Sequence, residues 1–273
     1  MTSPLLASQV AIVTGGGRGL GRAIAETLAG LGASVVIASR NAPELDEVAI
    51  AIKKAGGKAL AQTADVADER QVQELVLAAE RWVGPVTILV NNAGILDPIG
   101  PLAETGSASW LRNLSINVGG TYLVTRAVLP GMLDRDYGRI VNISDGAADQ
   151  ASAGWSAYCA AKAAVDQLTR VLALELEGSG VTAAAFHPGH IDTPMEERIR
   201  QATPDALPRV EEFREAHRDG LVLDPRDPAR VVAYLCLPTT ERSGATLAMS
   251  DDEVVAAAAA ELGPPADRPA IRR

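Results

Sequence analysis

Aromatic residues are scarce in this chain. They make up 3% of 273 residues, so the core has to be built from Ala, Val, Leu and Ile. There are two cysteines, Cys159 and Cys236. Two isolated thiols give neither a zinc-ligand spacing nor a disulfide framework. No metal is expected, and the thiols read as free ones in a cytoplasmic protein. There is no Lys/Arg run, and the formal net charge is −9. Sequence-independent binding to a phosphate backbone needs the opposite balance, so nucleic acid is excluded as a partner. No apolar stretch reaches about 18 residues, so no membrane-spanning helix is expected. A strand-like run already begins at Gln9, leaving no room for a secretory leader.

The chain is 47% hydrophobic and 22% charged, a composition that buries a large core and does not suit disorder. Short apolar runs alternate with helical patterns. The runs are QVAIVTG from Gln9, SVVIAS from Ser34, KALAQTAD from Lys58, ILVNNAG from Ile88, GRIVNIS from Gly138 and VTAAAFHPG from Val181. Helical periodicity fills the gaps, with a third helix over 69–83, a long one over 110–134 and another over 155–177. Strands that are apolar throughout are buried on both faces. The pattern therefore predicts a single-domain α/β fold over 1–263, a doubly wound parallel sheet of about seven strands with helices on both faces. Segment 196–227 is charged and contains Pro204, Pro208 and Pro225, so it is expected to form helices outside the sheet. The Pro-rich tail, 264–273, is expected to be disordered.

TGGGRGLG joins the first strand to the first helix. Gly15, Gly17, Gly19 and Gly21 let backbone turn tightly against a pyrophosphate, with Arg18 and Leu20 in the same turn. The helix N-terminus behind them offers free N–H groups and a positive dipole end. A glycine turn alone is often an ordinary loop, but here it sits inside a βαβ unit. The second strand ends in Ser39 and Arg40, with no acid there to take both ribose hydroxyls. Arg18 and Arg40 suit a 2′-phosphate, so NADP(H) is favoured over NAD(H); the bland alternative is two solvated arginines. Asp65 and Val66 end the third strand. The carboxylate either meets the adenine or caps the next helix.

Together, TGGGRGLG, NNAG (91–94), Asn117, YCAAK (158–162) and PGHIDTPM (188–195) resemble the short-chain dehydrogenase/reductase family, in family order. The segments GWSAYCAAKAA, PGHIDTPMEERIR, GLVLDP and SGATLAMSDD look most like the sepiapterin reductase and benzil reductase branch. That resemblance implies an NADPH-dependent carbonyl reductase acting on a small ketone or diketone. Alternatives are an NAD-linked alcohol dehydrogenase and a non-catalytic NADP-binding protein on the same fold. It also implies a homodimer or homotetramer, paired through the long helices. Asn91, Ala93 and Gly94 would line the cofactor floor. Pro188, Gly189, Ile191 and Thr193 would close over the nicotinamide, Asn117 would hold a water next to Lys162, and Asp251 could anchor a substrate amine.

Tyr158 and Lys162 lie four apart, on one helix face. Taken alone, such a pair marks an amphipathic helix. A free tyrosine has a pKa of about 10, and a neighbouring ammonium favours the phenolate and lowers it. Tyr158 would then protonate the carbonyl oxygen, and Lys162 would also hold the nicotinamide ribose. His187 and His190 occupy positions the family does not use and are read as non-catalytic. Trp155 either walls the substrate pocket or packs in the core. The family has a serine thirteen residues before the tyrosine; here that position is Asp145, with Ser144 beside it. Adjacent strand residues face opposite ways, so Ser144 should not simply substitute. An ionised Asp145 would repel a developing alkoxide. Three readings stay open: a neutral Asp145 that donates a hydrogen bond, an acid that binds a cationic or hydroxyl-bearing substrate, or weakened catalysis.

Overall fold

Side chains along the first strand, β1 (Val10–Thr14), divide between two cores. Ala11 and Val13 join a cluster with Ile24, Leu28 and Val48, while Ile12 joins one with Leu75, Val124 and Met132. A strand presents alternate side chains to opposite faces, so two cores mean helices on both sides. In a computed structural model, which describes residues 4–263, β1 is one of seven parallel strands. The others are β2 (Ser34–Ser39), β3 (Lys58–Thr63), β4 (Ile88–Asn91), β5 (Gly138–Ile143), β6 (Val181–His187) and β7 (Thr246–Ala248). Their order is β3-β2-β1-β4-β5-β6-β7. The chain reverses its direction of travel between β1 and β4. The crevice at the carboxyl ends of those strands is where a doubly wound sheet takes its ligand. The tail expected to be disordered, 264–273, lies outside the described residues.

Helices α1 (Gly19–Gly30) and α2 (Ala42–Lys54) cover one face. The other is covered by α3 (Glu69–Val83), α5 (Gly120–Asp134) and α6 (Ser156–Glu175), and α4 (Ser107–Leu114) packs on α6. The long helix expected over 110–134 is broken: a π-helical turn, Ser115–Gly119, separates α4 from α5. The break coincides with two close contacts. A Cβ on Gly120 would sit 2.6 Å from Val66 Cγ2, and the Asn117 amide is tied to the backbone of Ile95.

The charged segment 196–227 does form helices outside the sheet, α7 (Pro194–Arg200) and α8 (Val210–Arg218). Its end differs from expectation. Helix α9 starts at Arg226, runs to Leu235, and packs with α1 and α10 (Asp252–Leu262). Leu96, Trp155, Tyr158, Ile199, Leu207 and Phe213 form a third apolar cluster, which fixes α7 and α8 over the strand ends. No helix among the described residues is long and apolar enough to cross a membrane.

Candidate active site

The glycine turn is built so that nothing else fits. Gly15 and Gly19 have φ of +65° and +53°, a region that side chains disfavour. A Cβ on Gly21 would lie 2.1 Å from Gly15 O, and one on Gly19 would lie 3.3 Å from Thr193 Cγ2. Thr14 and Asn92 clamp the turn to the end of β4. Thr14 Oγ1 accepts from the N–H groups of Asn92 and Ala93, both at 3.0 Å, and Asn92 Nδ2 donates to Thr14 O at 3.0 Å. No side chain caps the N-terminus of α1. Its first N–H groups and its dipole are thus left to whatever occupies the groove.

That groove has a volume of about 580 Å³. It runs from Ser39, Arg40 and Asp65 at the β2–β3 edge, past Gly15, Gly17, Arg18, Gly19, Leu20 and Gly21, to Tyr158 and Lys162. Val66, Ala93, Gly94, Pro188, Gly189, Ile191 and Thr193 also line it. The cradle of glycines at an uncapped helix start fits a dinucleotide diphosphate. The arginines at the edge have acids in reach. Arg18 is 3.8 Å from Glu44 and Arg40 is 3.9 Å from Asp65, long contacts between exposed arginines and half-buried acids. Asp65 does not cap α3; Asp68 does, accepting from Gln71 N, while Asp65 Oδ1 accepts from Ala67 N.

At the far end α6 presents Tyr158 and Lys162, both buried. Lys162 Nζ donates to Ile143 O at 2.8 Å and lies 5.5 Å from the centre of the Tyr158 ring. Tyr158 Oη is 3.4 Å from Asp145 Oδ2. Asp145 Oδ1 accepts from Ala147 N at 2.8 Å, so the start of the following 3₁₀ turn (Gly146–Ala148) fixes the carboxylate. The expected lowering of the tyrosine pKa by Lys162 is not what these surroundings produce. Burial pushes the Tyr158 phenol well above its ordinary value, and the charge and hydrogen bond of Asp145 push it further. Lys162 is itself lowered, chiefly by burial.

This geometry has counterparts. A family model described as short chain dehydrogenase matches residues 9–204. The chain belongs to the short-chain dehydrogenase family. A short chain dehydrogenase of Pseudocercospora fijiensis is 36% identical over 241 residues, covering 81% of this chain and 77% of the relative. An NADPH-dependent aldehyde reductase-like protein, chloroplastic, of Arabidopsis thaliana is 39% identical over 242 residues, covering 84% and 88%. The crystal structure of a variant actinorhodin polyketide ketoreductase with NADPH superposes with a TM-score of 0.80 at 31% identity, covering 91% of this chain and 97% of that one. This short-chain dehydrogenase is an NAD(P)-dependent oxidoreductase.

Asn91 and Asn117 lie outside the groove lining, and Ser144 lines it with its hydroxyl turned to α6. Asn91 was expected on the cofactor floor. Val90 faces the α1 side, so Asn91 faces the other, and its Nδ2 donates to Thr125 Oγ1 and Asn142 Oδ1, both at 2.9 Å. Its neighbour Asn92 lines the groove instead. Ser144 donates its Oγ proton to Lys162 O at 3.3 Å, away from Asp145, as strand alternation requires. The Asn117 side chain accepts from Ile95 N and donates to Ile95 O and Asn113 Oδ1, so it braces the loop after β4 and does not line the groove.

The histidines separate. His187 is buried against Asp166 Oδ2 at 2.9 Å, outside the groove. His190 is in it: Nδ1 is 3.4 Å from Glu196 Oε1, and that contact raises its pKa. Trp155 is both wall and core, edge-on to Tyr158 at 5.7 Å and to Phe213 at 5.4 Å. Asp251 is exposed, lies outside the groove lining and accepts from Ala248 N at 2.7 Å. Asn92 and Glu196 sit inside the quoted NNAG and PGHIDTPMEERIR segments without being singled out there, and Arg209 and Phe213 belong to no motif. Each reaches the site through a tertiary contact.

Proposed function

We propose that this dehydrogenase is an NADPH-dependent carbonyl reductase of small aldehydes, ketones or diketones. Tyr158 gives its phenolic proton to the substrate oxygen, and Lys162 holds the nicotinamide ribose. The observation that carries this reading is the Tyr158–Lys162 pair, buried at the end of a groove that passes the glycine turn. When bound, the reduced dinucleotide would supply a hydride to the carbonyl carbon. Gly15, Gly19 and Gly21 would take the diphosphate on the α1 N-terminus, Ala93, Gly94 and the 188–193 segment the nicotinamide half, and Asp65 and Val66 the adenine. Asn117 acts by positioning, through Gly94 and Ile95. The relatives named as an aldehyde reductase-like protein and a ketoreductase support reduction of C=O. The test is NADPH consumption, followed at its absorbance band, against a panel of diketones, aldehydes and quinones.

Arg18 and Arg40 would grip the 2′-phosphate. Replacing both by Ala is expected to weaken NADPH binding by about tenfold or more and leave NADH binding within about twofold. Equal losses for the two dinucleotides would favour an NAD-linked alcohol dehydrogenase. The contact between Asp145 and Tyr158 favours a second reading, a protein that binds NADPH without turnover. Intact NADPH binding with no consumption on the whole panel would select it. The homodimer or homotetramer in this reading draws on exposed apolar residues, Tyr122 on α5 and Val171 and Leu174 on α6.

A pH profile follows from the buried phenol. Negative charge on Asp145 and Glu196 opposes a second negative charge on Tyr158, so the phenol keeps its proton beyond its usual range. Carbonyl reduction, which needs the proton, is expected to stay level to about pH 10. Alcohol oxidation, which needs the phenolate, is expected to rise without a plateau below that pH. Rates measured in both directions across the range check this.

A further inference from the structure

Carbonyl reduction leaves an acid unused at the reactive end of the groove. Asp145 makes no ion pair among the described residues, although it lines the groove and lies 3.4 Å from the Tyr158 hydroxyl. Its other oxygen is held by Ala147 N, so the carboxylate does not swing out to solvent without breaking that bond. The charged groups around it come from several elements. Glu196 of α7 is buried and already partnered by His190. Lys162 of α6 donates to Ile143 O, and its charge acts on Asp145 without a direct contact. Arg209, before α8, pairs with Glu212. Asp145 faces Lys162 and His190 across the groove but makes a direct ion pair with neither.

A ketone suits such a place less well than a cation. Its oxygen gains negative charge as hydride arrives, beside a fixed carboxylate in surroundings less polar than water. A protonated imine is the reverse. It enters positive, keeps part of that charge at the transition state, and leaves as a neutral amine. We propose that the reactive end of this groove is built for a cyclic or secondary iminium, with Asp145 holding the protonated C=N group. The step balances without a proton donor. The iminium carbon of R₂C=NHR′⁺ gains a hydride from the reduced dinucleotide, the π pair becomes the nitrogen lone pair, and the products are R₂CH–NHR′ and the oxidised dinucleotide. The raised pKa of Tyr158 is then no handicap, because the phenol is not asked for its proton. The inference rests on the groove being an NADP(H) site.

The test compares methylpyrroline with cyclopentanone, ring for ring, in wild type and Asp145→Ser. With the NADPH-loaded protein, kcat/KM for the imine is expected to exceed that for the ketone by about tenfold or more. Asp145→Ser is expected to lower the imine value by a similar factor and to raise the value for a diketone. A second readout needs no turnover: calorimetric binding of pyrrolidinium to the NADP⁺ complex, expected to weaken about tenfold in Asp145→Ser, with cyclopentanol unchanged. Ketone turnover with no imine turnover, or pyrrolidinium binding indifferent to Asp145, overturns the iminium assignment and leaves the groove reading intact. Failure of NADPH itself to bind overturns the reading beneath it.

Discussion

Tyr158→Phe is expected to lower kcat/KM for carbonyl reduction by about a hundredfold to ten-thousandfold, the range a positioned general acid contributes. The substitution removes one hydroxyl and little else. The ring stays edge-on to Trp155 and in the cluster of Leu96, Ile199 and Phe213, so the fold and the groove keep their walls. NADPH affinity should therefore remain within about twofold, and the loss should sit in kcat, as for an interaction made at the transition state. Kinetics and a binding titration on the same preparation separate the two. A loss divided equally between turnover and dinucleotide affinity would mean that Tyr158 supports the groove, not the proton transfer.

Gly21→Ala is expected to reduce NADPH affinity by at least about a hundredfold, and to lower Tm. Its Cβ would stand 2.1 Å from Gly15 O and 2.5 Å from Asn92 Nδ2. The side-chain amide can move, but the carbonyl belongs to a backbone held at positive φ. Relief requires α1 to move away from the turn, which takes its N-terminal N–H groups out of reach of a diphosphate. Overpacking of this kind costs about 1–3 kcal/mol of stability. Gly30, at the other end of the same helix, has nothing within 4 Å of a Cβ, so Gly30→Ala should leave binding unchanged. Binding titrations and thermal melts of the two variants measure the contrast.

The sheet and the glycine turn at its switch point were legible because their signals are local. Continuous apolar strands, a glycine turn between strand and helix, and a Tyr and Lys one turn apart are all carried by neighbouring residues. The seventh strand, at Thr246–Ala248, is three half-buried residues, too few to show a pattern. The break at Ser115–Gly119 depends on contacts with Val66 and Ile95, which no helical periodicity records. Asn91 was misplaced because a motif gives the order of residues and not which side of a strand each faces. The shift at Tyr158 was also beyond a pairwise argument. Lys162 four residues away pointed to a lowered pKa, but burial and the carboxylate of Asp145 outweigh it. Both Ser144 and Asp145 line the groove, but the hydroxyl of Ser144 turns to Lys162 O and the carboxylate of Asp145 to Tyr158, the divergence that neighbouring positions predict.

Carbonyl reduction by this chain requires a dinucleotide lying in the groove with its nicotinamide at Tyr158 and Lys162. Titrating the purified protein with NADPH, and following the dinucleotide's own fluorescence, tests that most directly. Saturable enhancement at micromolar NADPH, with NADH bound at least about tenfold more weakly, is the predicted result. No saturable signal with either dinucleotide would contradict it.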